Sequence, residues 1–134
     1  MYAKILLALD ASPTDEVIIN HIVKLAKCHN SNVVLFRVVH SHTRDSNTHE
    51  VAESRAYLEG VAERFSIEGI SVEIVLAFGE PAEQIIQQAN EMCVELIAMG
   101  THGHKGLYDT LFGSVSDEVR HAVSIPMLLI KAGE

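Results

Sequence analysis

Apolar runs of five to eight residues alternate along this chain with segments whose apolar positions recur every three or four residues. Few architectures accept that alternation. The strand-like runs are Tyr2–Leu9, Val33–Val39, Ile70–Ala77, Val94–Met99 and Met127–Lys131. Helical spacing begins at Asp15, with Val17, Ile18, Ile22, Leu25 and Ala26 on one face. It returns in Val51, Leu58, Val61, Ala62 and Phe65, and Gly69 stops that segment. Pro81 opens a third helix through Ile85, Ile86, Ala89 and Met92, and a short fourth one runs from Ser114 to about Ala122.

Strand–helix alternation of this kind predicts an α/β fold: a five-stranded parallel sheet with helices on both faces. Ser71 and Glu73 make the Ile70 run half polar, which suits an edge. The first and fourth runs are nearly all apolar, which suits the centre, and the expected strand order is 3-2-1-4-5. In such sheets ligands bind at the carboxyl ends of the strands, where the strand order reverses. The 134 residues suffice for one domain, expected to span 1–134, and 48% hydrophobic residues supply its core and exclude disorder. No apolar run approaches the ~20 residues of a membrane helix, nor does any resemble a signal peptide. Cys28 and Cys93 are too few for a secreted disulfide scaffold, so a cytoplasmic location is expected. They read as small buried hydrophobes. A net charge of −8 argues against nucleic acid or an anionic membrane as partner.

The segment Met99-Gly-Thr-His-Gly-His-Lys-Gly-Leu-Tyr-Asp-Thr-Leu-Phe-Gly-Ser-Val-Ser116 carries the chemistry. Gly100 sits where a buried strand is expected to turn sharply, and Gly103 and Gly106 keep the loop free of Cβ atoms. Backbone N–H groups there could form an anion nest. A helix starting at Gly113-Ser114 would offer free N–H groups and its dipole to phosphate. With one Lys (Lys105) and one Asp (Asp109) from Gly100 to Ser116, backbone dipoles would do most of the holding. The same residues also read as a connector in which Ser114 is an N-cap and Asp117 completes a capping box. The chain has neither a Walker A loop nor the Gly-x-Gly after a first strand that marks dinucleotide binding.

Gly100, two residues, Gly103, nine residues, Gly113 and then Ser114 resemble the pattern of the ATP-binding subgroup of the universal stress proteins. The likeness covers the whole chain, from a first strand ending in Asp10, with Ser12 soon after, to Ile125-Pro126 before the last strand. It implies a Rossmann-like, adenine nucleotide alpha hydrolase-like fold and ATP with Mg²⁺ or Mn²⁺ as ligand. Asp10 would contact the ribose or a metal-bound phosphate, and Val39 would line the adenine pocket. Met99 and Gly100 would also line the nucleotide, while Gly103, Gly113, Ser114, Val115 and Ser116 would hold the phosphates. Relatives often carry Gly where this chain has Ala11, a departure that bears on the loop's shape. The implied function is nucleotide-dependent regulation in a stress response, through a downstream protein partner that the sequence does not name. The alternatives are a slow ATP hydrolase or autophosphorylating enzyme, and a nucleotide-free dimeric scaffold. No residue is an evident general base.

Asp10 also reads as a cap for the helix near Asp15. The pairs His40/His42 and His102/His104 both follow strands on one sheet edge, where a shared zinc or nickel site is conceivable, but no carboxylate or Cys sits at ligand spacing beside either pair, and solvated loop histidines are expected. Thr101-His-Gly-His104 matches the loose nucleotidyl transferase signature, but it follows the fourth strand, and the second motif, Lys-Met-Ser-Lys-Ser, is absent. Arg37, inside an apolar strand, has no assigned role. Met127–Lys131 would form an apolar edge strand, and pairing with a second copy would cover it and form a homodimer.

Overall fold

β1 (Lys4–Ala8) pairs in parallel with β2 (Asn32–Val39) on one side, Ile5 opposite Val33, and with β4 (Leu96–Thr101) on the other, Ile5 opposite Leu96. β3 (Val72–Phe78) extends the sheet beyond β2, and β5 (Met127–Lys131) extends it beyond β4. The order is therefore β3-β2-β1-β4-β5, as expected, with the half-polar third strand at an edge and the apolar first and fourth inside. This computed structural model describes residues 1–39, 48–101 and 109–131, with backbone only at 48 and 109–113.

Four helices connect the strands: α1 (Asp15–His29), α2 (Thr48–Ile67), α3 (Pro81–Glu91) and α4 (Asp109–Ala122). Side chains alternate across a strand, so each central strand feeds two cores. Ile5, Leu7, Leu9, Leu96 and Ala98 pack with Ile18, Ile22, Leu58 and Phe65 of α1 and α2. Leu6, Ala8, Ile97 and Met99 pack on the opposite face with Ile85, Ala89, Val115 and Val119 of α3 and α4. β3 is half-buried, as an edge strand should be. Asn30 (φ 55°) closes α1, and Gly69 (φ 80°) follows α2 with its N–H bonded to the Ser66 carbonyl at 2.9 Å. Among the described residues no helix is long and apolar enough to cross a membrane.

Three local expectations are corrected. β4 continues through Gly100 and Thr101, which lie opposite Ile130 and Lys131, so Gly100 is a strand residue and not a turn. α4 begins at Asp109, not at Ser114. Cys28 and Cys93 are exposed free thiols; Cys28 lies near the end of α1, and Cys93 (φ 54°) lies just past α3. Arg37 finds its partner in the layer above the sheet, where its Nε donates to Ser54 Oγ of α2 at 2.9 Å.

Candidate functional site

The sheet order reverses at β1. α1 leaves the carboxyl end of β1 for one face, and α4 follows β4 onto the other. The carboxyl ends of these adjacent strands therefore open between diverging helices, which is where ligands bind in open α/β sheets.

The turn after β1 is held at three successive amides. Asp10 N–H donates to Asp15 Oδ1 at 3.4 Å, and Ala11 N–H donates to Asp15 Oδ2 at 2.8 Å. Ser12 N–H donates to Asp10 Oδ1 at 3.0 Å, closing an Asx turn. Ala11 takes the left-handed conformation (φ 61°), so alanine here adopts a backbone that glycine would adopt without steric cost. Asp15 Oδ2 also accepts from the Tyr57 hydroxyl of α2 at 2.6 Å. Burial raises the Asp15 carboxyl to about 7 against the lowering effect of the Tyr57 bond, and the neighbouring Asp10 charge raises it further. Burial also pushes the Tyr57 phenol up, and its bond to Asp15 adds to that shift. Sequence reasoning took Asp15 only as the point where helical spacing begins and did not single out Tyr57. The two lie 42 positions apart, so only the packing of α2 on α1 brings them together.

The capping reading of Asp10 is not what the local geometry shows. The first amides of α1 bond to loop carbonyls instead, Asp15 N–H to Ser12 O at 3.0 Å and Glu16 N–H to Pro13 O at 3.3 Å. Those donors are thereby used within the turn, which leaves the start of α1 unsuited to phosphate. The Asp10 carboxylate stands half-buried at the carboxyl end of β1.

Val39, at the end of β2, is fully buried, and its carbonyl accepts from Gly79 N–H at 3.4 Å. Met99 is fully buried in the core beneath α3 and α4, so only its backbone faces the end of the sheet. Gly100 lies against α1, where a Cβ would come 3.1 Å from Thr14 Cγ2. Val115 and Ser116 are buried on α4, and Ser114 is exposed. Because α4 starts at Asp109, Gly113 and Ser114 lie past its first turn. The N–H groups left over at a helix start are those of its first turn, so Ser114, inside α4, is not its N-cap. Ser114 lines a cavity of about 340 Å³ between α3 and α4, together with Glu80, Glu83 and Glu118. Three carboxylates make that groove hostile to phosphate, so a phosphate meeting Ser114 would have to lie outside it. Gly103, Gly106 and all four histidines of the His-x-His pairs lie outside the described residues.

Among the described residues no group of three or more His, Cys, Asp or Glu could hold a metal ion. Asp10 alone cannot fix a divalent cation, so the residues fit a metal that arrives with phosphate oxygens as its other ligands. Ser12 Oγ is buried with no partner among the described residues. A buried hydroxyl left so is costly, and a further polar group at this turn would satisfy it.

The sequence pattern of the universal stress protein family matches residues 1–131. The universal stress protein YxiE of Bacillus subtilis is 30% identical, covering 98% of this chain and all of that protein. The solved structure of MJ0577, from Methanocaldococcus jannaschii, superposes with a TM-score of 0.84 at 27% identity, covering 100% of this chain and 99% of that one. A universal stress protein from Archaeoglobus fulgidus, solved in complex with dAMP, superposes at 0.76 with 22% identity, covering 97% of this chain and 98% of that one. That last likeness is one of fold.

Proposed function

This chain belongs to the universal stress protein family, and from that premise we propose that it binds ATP with Mg²⁺ (or Mn²⁺) at the carboxyl ends of β1 and β4. The observation that carries the reading is the half-buried Asp10 carboxylate, held at the reversal of strand order by the bonded turn of residues 10–12. The sequence spacing Gly100, Gly103, Gly113, Ser114 supports the reading, and a protein of this fold has been solved with dAMP.

In this reading Asp10 meets the ribose or the metal-bound phosphate. Val39 borders the adenine, and Met99 and Gly100 contribute backbone. Gly103, Gly113, Ser114, Val115 and Ser116 surround the phosphates. Gly113 acts by having no side chain, because its N–H falls within the ladder of α4. Mg²⁺ would neutralise phosphate charge, which this edge, poor in cations, does little to offset. The bound nucleotide biases a homodimer, built on β5, that signals to a downstream protein in the cytoplasm.

Calorimetric titration of Mg-ATP into wild type, Asp10→Ala, Gly113→Ala and Ser114→Ala tests the reading. Alanine is the better helix former, so Gly113→Ala should raise the melting temperature while weakening ATP. Ser114→Ala should cost about 0.5–1.5 kcal/mol of binding. The Asp10→Ala loss should shrink when Mg²⁺ is omitted. Equal affinity in wild type and Gly113→Ala would place the nucleotide elsewhere. No wild-type binding at millimolar ATP would leave the nucleotide-free scaffold.

A further inference from the structure

We infer that Asp15 is a positioning residue: its carboxylate sets the Asp10–Ser12 turn and couples that turn to the seating of α2 through Tyr57. The consequence for nucleotide rests on the reading above; the geometry of the turn does not.

The first turn of α1 carries two acids with different surroundings. Glu16 is exposed and pairs with Arg64 of α2 at 2.6 Å, as a helix-start acid at the surface does. Asp15 points inward and is 2% exposed. Among the described residues it forms no ion pair; its partners are two loop amides and one phenol. A buried carboxylate without a cation is costly, and hydrogen bonds must satisfy it. Both short bonds, from Ala11 N–H and from Tyr57, end on the same atom, Oδ2. That atom joins a left-handed residue to the helix packed beside α1 in the same layer. The next amide, Ser12 N–H, is bonded to the Asp10 carboxylate, so the direction of Asp10 follows the turn that Asp15 holds. The raised carboxyl of Asp15 agrees with this arrangement, since burial and the facing Asp10 charge both oppose ionisation.

Asp15→Ala removes the acceptor, whereas Asp15→Asn keeps one oxygen that can take the place of Oδ2. The tests are amide exchange at Ala11, followed by NMR in nucleotide-free protein, and Mg-ATP titration. Ile22→Val, a core change at a distance from the turn, serves as the control for general destabilisation. In Asp15→Ala the Ala11 amide should exchange about tenfold faster relative to Leu7 of β1, with ATP weakened by about the same factor. Asp15→Asn should restore both to within about threefold, and Ile22→Val should leave the Ala11-to-Leu7 ratio unchanged. Tyr57→Phe, which deletes a single hydroxyl, should loosen Ala11 in the same direction and serves if Asp15→Ala does not fold. Unchanged Ala11 exchange in both Asp15→Ala and Tyr57→Phe overturns the proposal. So does an Asn variant as impaired as Ala, or a loosened Ala11 with undiminished ATP affinity. If the wild type binds no ATP yet Ala11 responds as described, the nucleotide reading falls and the positioning of the turn stands.

Discussion

Gly100 of β4 lies so close to Thr14, at the start of α1, that a Cβ on the glycine would sit 3.1 Å from Thr14 Cγ2 and 3.5 Å from the Thr14 carbonyl. Thr14 is itself buried, so it has little room to yield. Gly100→Ala should therefore destabilise the fold by about 1–2 kcal/mol, the usual effect of an extra methyl in a packed layer. Urea unfolding measures it. A stability equal to wild type would mean that α1 can shift away from β4 without loss.

Asp15 gives stability a pH dependence of defined sign. Its carboxyl lies at about 7 in the folded chain against 3.8 ordinarily. Between those values the folded state holds a proton that the unfolded state has released, so this group's contribution falls as pH rises from about 4 to about 7 and is level above. The groups facing it are Tyr57 from α2 and Asp10 from the loop, with Glu16 next on α1. Asp15→Asn should remove this slope and be more stable than wild type by about 1–3 kcal/mol at pH 8, with the gap closing toward pH 4. Thermal unfolding of both proteins across that range supplies the comparison, and parallel curves would refute the assignment.

Ala11 is exposed in the left-handed region, so its methyl contributes strain and little packing. Ala11→Gly should relieve about 1–2 kcal/mol of steric cost and give back about 0.5–1 in chain entropy. The expected outcome is a small net gain in melting temperature with the turn unchanged. A clear loss would show that the chain entropy added by glycine outweighs the strain relieved.

Among the described residues β5 is an edge strand with no neighbour beyond it in the sheet, and Leu129 on it is 42% exposed. Exposed apolar edges pair or aggregate, and the proposed second copy would cover this one. Wild type should scatter light as a dimer at micromolar concentration, and Leu129→Asp should shift it to monomer. A monomeric wild type whose solubility is indifferent to the substitution would count against β5 as the interface.

Periodicity marked the strands and helices, and strand texture placed β3 at an edge with β1 and β4 at the centre. Strand and helix leave different spacings, and a strand wet on one side reads differently from one buried on both, so β3 could be assigned to an edge from Ser71 and Glu73. The glycine spacing and Asp10 marked the end of the sheet to examine. What the sequence left undecided depends on contacts between distant segments. Gly100 looked like a turn, yet it is a strand residue made small by Thr14, 86 positions earlier in the chain. The start of α4 was misplaced because Ser114-Val-Ser-Asp117 carries its own capping signal, while the helix in fact begins at Asp109. Cys28 and Cys93 were assigned to the core by residue type, yet Cys28 lies on an outward side of α1 and Cys93 in the exposed turn after α3. Arg37 needed Ser54, and Asp15 needed Tyr57. Burial and long-range hydrogen bonds are properties of the packed layers, so a local pattern of residues does not contain them.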